Sequence, residues 1–202
     1  MRREYRAIAL DMDGTVLNDR KQIGERTKEA VHRALAADRE VVFCTGRSLA
    51  EMREVLEEFP DMRYLCCASG SMLYDRKRGK PLKLWPIPRR EREALRETVR
   101  GRDVMPHFIS EGRCILNRDQ IDRIGHYQMG VYQPLFQKAS DLVDDVFEVS
   151  EREGWSAEKI NLFHTSPDER SISRAKLERL KLRLTMIDAE ISSLECTLQG
   201  VD

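Results

Sequence analysis

The sequence predicts an α/β fold, a doubly wound parallel sheet over its first eighty-odd residues followed by an α+β segment. Three observations predict it. Apolar runs and helical stripes alternate from Tyr5 to Cys67, and each run stops at a polar, turn-forming stretch. After Ser71 the alternation gives way to strands and helices that segregate.

Tyr5 to Leu10 is a short apolar run ending in Asp-Met-Asp-Gly, which reads as a buried strand stopped by a turn. Glu25 to Asp38 places Ala30, Val31, Ala34 and Leu35 on one helical stripe. Glu40 to Cys44 is β-branched and aromatic, a strand that stops at Thr-Gly-Arg. Ser48 and Glu51 form a capping-box pattern, and Leu49, Met52, Val55, Leu56 and Phe59 repeat at helical spacing as far as Pro60. Arg63 to Cys67 is a third strand. Strand, helix, strand, helix, strand implies parallel pairing with right-handed crossovers.

Met72 to Tyr74 and Leu82 to Trp85 flank a basic turn and read as a hairpin. Pro86-Ile87-Pro88 resists helix and sheet alike and marks a boundary. Beyond it come a charged helix (89–100), strands at 104–109 and 114–117, and an unassignable stretch from 118 to 158. A strand at 159–164, a helix at 168–182 and a strand pair at 183–187 and 191–197 complete the pattern.

Composition narrows the functional classes. The 202 residues carry 35 Lys and Arg against 35 Asp and Glu, a formal net charge of zero, which argues against a nucleic-acid binder. No stretch approaches the roughly 18 apolar residues of a membrane span, and the start lacks a signal-peptide core, so a cytoplasmic protein is expected. Five cysteines without a CxxC pair read as reduced thiols rather than a zinc or disulfide framework.

In parallel α/β sheets the ligand site forms at the carboxyl ends of the strands. The first strand ends at Asp11, Met12 and Asp13, the second at Thr45, Gly46 and Arg47, and the third at Ala68, Ser69 and Gly70. With neighbouring strands about 4.8 Å apart, Asp11 and Thr45 share one crevice. This set suits phosphoryl transfer: a carboxylate can attack phosphorus, and a second can move the leaving-group proton if its pKa is raised. Mg²⁺ is the natural companion of such oxygens. The Thr45 hydroxyl and the amides near Gly46 can hold phosphoryl oxygens, and Arg47 offers a planar fork. The plainer readings are a surface ion pair for Arg47 and a turn residue or cap for Ser69.

IALDMDGTVLN, CTGRS and CCASGSMLYD at these intervals resemble the haloacid dehalogenase superfamily, and more narrowly its Cof-type phosphatases. The resemblance implies a Rossmann-like core over 1–86, an inserted α+β cap over 87–197, and a return to the core at 198–202. It implies Asp11 as nucleophile and magnesium ligand, Asp13 as general acid/base and carbonyl ligand, and Thr45 as phosphate ligand. Gly46, Arg47, Ser69 and Gly70 are expected beside the phosphate or substrate, with Thr15 to Ile23 as a flap. The implied activity is Mg²⁺-dependent hydrolysis of a small phosphorylated metabolite, a sugar phosphate or similar, through an aspartyl-phosphate. Ser69-Gly70 stands where the family usually has Asn-Gly. Family members also continue beyond the cap with a Lys-Gly and a Gly-Asp…Asn-Asp motif, whereas this sequence stops at Gly200-Val201-Asp202. A core incomplete at its C-terminus is therefore expected, with an inactive fragment that binds or pairs, or a receiver-like phosphoacceptor, as the rival readings.

Overall fold

The computed structural model describes residues 5–18 and 20–201. The outermost residues of the expected core and return segments (1–4 and 202), and Asp19 in the expected flap, lie outside the described residues.

Two sheets organise the chain. In the first, β1 (Ala7–Asp11), β2 (Glu40–Cys44) and β3 (Tyr64–Cys67) run parallel in that order. The hairpin of β4 (Met72–Asp75) and β5 (Lys80–Leu84) continues the sheet antiparallel from β3. Helix α1 (Glu25–Ala36) links β1 to β2, and α2 (Arg53–Glu57) links β2 to β3. The Ser48–Glu51 box forms reciprocally: the Ser48 amide donates to Glu51 Oε2 at 2.6 Å and the Glu51 amide to Ser48 Oγ at 3.2 Å. Only α2 itself is regular helix, because the preceding turn gives its Ala50 amide to the Gly112 carbonyl of the second sheet at 2.9 Å.

The first strand differs from expectation. Its side chains are mostly exposed, because among the described residues no layer covers them fully: Ile8 and Leu10 border an open groove beside α1, and β1 is also the edge of the described sheet. The core of this layer lies around β2 and β3, in Val41, Phe43, Leu65 and Cys67, with Met52, Phe59 and Met72 packed against them.

The second sheet has the order β10-β11-β9-β6-β7-β8. Its strands are β6 (Val104–Ser110), β7 (Arg113–Asn117), β8 (Ser140–Val143), β9 (Lys159–His164), β10 (Leu184–Ala189) and β11 (Ser193–Leu198). One face packs Phe108, Ile160, Leu162 and Leu194 against α3 (Arg89–Val99), α5 (Val146–Arg152) and α6 (Pro167–Glu178). The other packs Met105, Leu116 and Phe163 against the 121–132 segment and α4 (Gln133–Ala139), and reaches Ala50 of the first layer. The unassigned stretch thus holds two short 3-10 turns, two short helices and one strand. Such short elements carry too few residues for a helical stripe to register.

Asp75 anchors the β4–β5 hairpin. Its side chain is inaccessible and accepts from Arg63 (2.9 Å) and from the amides of Lys77 and Arg78 (3.0 and 3.2 Å). The Arg63 guanidinium, first among these, holds its carboxyl below the usual carboxylate range. A carboxyl more acidic folded than unfolded stabilises the native state above pH about 4, and that contribution fades as pH falls through the native value. Asp75→Asn is therefore expected to lower the melting temperature at neutral pH, with the gap from wild type shrinking towards pH about 2. Equal melting temperatures at neutral pH would contradict this role.

Candidate active site at the strand ends

The parallel register sets Asp11 opposite Cys44, so Thr45 is the next residue along β2 and both belong to the same end of the sheet. Asp11 is exposed, and its carbonyl accepts from the Val16 amide at 3.3 Å. Met12, fully buried, pins the following turn and accepts from the Val16 and Leu17 amides at 3.1 and 2.9 Å. Gly14 makes that turn with φ +84°, a conformation that disfavours any residue with a Cβ. The chain then forms a small hairpin in which Leu17 bridges Asp13 and Ile23.

Asp13 is held by two cations, Lys21 Nζ at 2.8 Å from that hairpin and the Arg47 fork at 3.0 and 3.2 Å from the end of β2. Burial, the largest single influence, pushes its carboxyl up, but Lys21 and Arg47 together outweigh burial and leave it below the ordinary value. The proton-transfer role read from the sequence requires a raised pKa, and the direction here is the opposite. The reason is the pairing, which no linear spacing discloses.

The ends of β2 and β3 are stitched together. Thr45, 5% exposed, donates its amide to the Cys66 carbonyl at 2.9 Å and accepts from the Ser69 amide at 3.0 Å. The Ala68 amide bonds the Arg47 carbonyl at 2.9 Å, and the Arg47 amide donates to Thr45 Oγ1 at 3.2 Å. Ala68, Ser69 and Gly70 all adopt left-handed backbone, with φ +52°, +53° and +88°. Two consecutive non-glycine residues there are strained, and the bonds to Thr45 and Arg47 hold them in place.

Lys159, on β9, joins the two sheets. Only 3% exposed, it donates to the Gly46 carbonyl (3.0 Å), Ser69 Oγ (2.9 Å) and Glu195 Oε2 (2.5 Å). A Cβ on Gly46 would sit 3.0 Å from that ammonium and 3.3 Å from Ser69 Oγ, so a larger residue there would have to push the ammonium or the hydroxyl aside by a few tenths of an ångström. Ser69 is thus more than a turn residue.

Asp13, Gly46 and Arg47 line a cavity of about 210 Å³ whose far wall comes from the second sheet and α4. Asp11, Thr45, Ser69 and Gly70 lie at the strand ends beside it without lining it. Sequence reasoning missed Lys21, Tyr132, Lys159, Asn161, Glu190 and Glu195, all placed at this junction by tertiary contacts. One signal existed: Lys159 and Asn161 alternate with apolar residues inside a fully buried strand.

The Asp11 carboxylate and the main-chain carbonyl of Asp13, two residues apart, offer hard oxygen donors, a set that fits Mg²⁺, an ion commonly held by one or two carboxylates plus water and substrate oxygens. A second group, Glu51, His107 and Cys114, has ligand atoms within 4.8 Å of one another, all buried. Its imidazole and thiol are softer donors and do not suit Mg²⁺.

An α/β layer with a carboxylate, a hydroxyl and left-handed glycine loops converging at its strand ends defines a ligand-binding enzyme core of the parallel-sheet class. Residues 8–202 match the haloacid dehalogenase-like hydrolase family. The chain belongs to that family. It is 38% identical over 72 residues to the 5-amino-6-(5-phospho-D-ribitylamino)uracil phosphatase YcsE of Bacillus subtilis, covering 36% of this chain and 29% of that protein. It is also 38% identical over 66 residues to the HMP-PP phosphatase of Cronobacter sakazakii, covering 33% and 24%. A haloacid dehalogenase-like hydrolase from Bacteroides thetaiotaomicron superimposes with a TM-score of 0.82 at 18% identity, over 98% of this chain and 73% of that one. Matched stretches span 20% to 47% of the length of the curated relatives. Among the described residues, no helix is long and apolar enough to cross a membrane.

Proposed function

We propose that the chain carries the nucleophile of a phosphatase site, with residues 87–197 acting as a cap over the core of 1–86. Asp11 attacks phosphorus, and the departing alkoxide takes a proton from Asp13. A water deprotonated by Asp13 then cleaves the aspartyl-phosphate, splitting one hard displacement into two. The observation that carries this reading is the placement of Asp11 and Thr45 at the same end of two paired parallel strands.

The remaining residues have matching tasks. The Thr45 hydroxyl, which accepts from the Arg47 amide, keeps its own proton for a phosphoryl oxygen. Lys21 and Arg47 hold Asp13 ionised and so favour its role as base. For the acid step one of these cations must leave Asp13, and the substrate phosphate is the anion that competes for it. Asp11 and Asp13 would hold Mg²⁺, and the chemistry that Mg²⁺ supplies when bound is neutralisation of charge between carboxylate and phosphate. A small phosphorylated metabolite matches the cavity and the substrates for which the YcsE and HMP-PP relatives are named.

Phosphate release from p-nitrophenyl phosphate is expected in Mg²⁺, to fall to background in EDTA, and to return with excess Mg²⁺. Release that continues undiminished in EDTA would rule out the metal requirement.

A further inference from the structure

Three side chains of metal-ligand type meet where the first layer touches the second sheet. His107 on β6 and Cys114 on β7 are diagonal neighbours on one face of their hairpin, since the Cα partner of Cys114 is Ile109. Glu51 arrives from the turn before α2, which the Ala50 amide ties to the Gly112 carbonyl of the same hairpin. His107 Nε2 is 3.1 Å from Cys114 Sγ, and one ligand atom from each of the three lies within 4.8 Å of the other two. All three residues are buried.

The plain reading is a hydrogen-bonded core cluster, and one atom does not fit it. Asn161, 7% exposed, donates its amide nitrogen to His107 Nδ1 at 3.0 Å, and its Oδ1 is left buried without a partner. A buried acceptor with no donor is unfavourable. With Nδ1 as acceptor, the neutral imidazole carries its proton on Nε2, facing the thiol. An ion on Nε2 moves that proton to Nδ1, and a half-turn of the Asn161 amide then brings Oδ1 to accept it. A carbonyl oxygen on the far nitrogen is the usual support of a ligating histidine. Cys114 Sγ has a matching neighbour, the Ser140 hydroxyl at 3.0 Å, which can donate to a thiolate. Phe163 stacks on the imidazole at 5.7 Å and fixes its plane.

The geometry points to a Zn²⁺ site built from Glu51, His107 and Cys114, separate from the hard oxygen donors of Asp11 and Asp13. Imidazole and thiolate with one carboxylate form a donor set that selects zinc over magnesium. Zinc takes nitrogen and oxygen at about 2.0–2.2 Å and sulfur at about 2.3 Å, so the ligand atoms draw in to roughly 3.3–3.6 Å of one another. Glu51 and His107 line the cavity of about 210 Å³, which supplies an entry path and room for water as the fourth ligand. On binding, the Cys114 S–H bond breaks, its proton passes to water, and the thiolate sulfur bonds the metal; Glu51 ligates as the carboxylate. The ion joins the first layer, through Glu51, to the second sheet, through His107 and Cys114.

Co²⁺, which takes the place of zinc and absorbs in the near ultraviolet when bound to thiolate, is the probe. Titration in excess Mg²⁺ is expected to give that absorption at one equivalent and to lose it to Zn²⁺. Asp11→Asn is expected to keep it, as is the double variant Cys44→Ser/Cys66→Ser, which removes the paired thiols of β2 and β3. Cys114→Ser is expected to abolish it, and Asn161→Leu to weaken binding about tenfold or more. X-ray absorption at the zinc edge of the wild-type chain needs no variant and is expected to show a single sulfur ligand. Absorption absent from the wild-type chain, retained in folded Cys114→Ser, or lost with Asp11 or with Cys44 and Cys66 overturns the inference. So does a zinc spectrum with no sulfur or more than one, or an Asn161→Leu affinity equal to wild type.

Discussion

Asp11→Asn is expected to reduce phosphate release by about 10³-fold or more, because an amide oxygen cannot serve as the phosphorus nucleophile. The loss corresponds to at least about 4 kcal/mol of transition-state stabilisation. Folding is a poor rival explanation for such a result. Asp11 is exposed at the end of an edge strand, and its carbonyl, which holds the Val16 amide, is untouched by the substitution. The melting temperature should therefore stay within about 2 °C of wild type, since surface changes of this kind are usually within about 0.5 kcal/mol. Steady-state kinetics with p-nitrophenyl phosphate, alongside thermal denaturation of the same samples, checks both halves. Activity retained in the variant would remove Asp11 from the nucleophile's role.

Lys159→Met is expected to have the largest effect on stability of any single change at the junction of the two sheets. The substitution leaves the Glu195 carboxylate, 13% exposed, without its cation and strips a donor from the Gly46 carbonyl and Ser69. Removing one partner of a buried pair costs about 3–5 kcal/mol. For a chain of this size that corresponds to a fall in melting temperature of about 6–20 °C. The pair itself need not be a large net contributor, because taking both charges out of water is costly. The double variant Lys159→Met/Glu195→Leu should accordingly recover much of the loss. A single variant as stable as wild type, measured by calorimetry, would show that the ammonium is better hydrated than its position implies. The same contact bears on Gly46: Gly46→Ala drives a Cβ to 3.0 Å from the ammonium, so it should act in the same direction.

How much of this was legible beforehand follows from the range of the interactions involved. β2, β9 and α3 fall where apolar runs and charged stripes placed them, since periodicity within one element is a local property. The capping box at Ser48 and Glu51 forms as written, for the same reason. The burial of β1 was misjudged, because an apolar run reports what a strand could pack against and not whether a neighbouring layer covers it. The segment from 118 to 158 escaped assignment because its pieces are too short to show a period.

The sequence by itself determined that carboxylates, a hydroxyl and glycine turns end three consecutive strands, because strand ends are written in the local alternation of apolar and turn-forming residues. Tertiary structure alone decided what surrounds them. It brought Lys21 and Arg47 onto Asp13 and lowered its pKa, and it carried Lys159 across 113 residues to the Gly46 carbonyl. The physical reason is that ion pairing and desolvation depend on distances of a few ångströms between residues far apart in the chain. Those distances are set by strand register and by the packing of one sheet against the other.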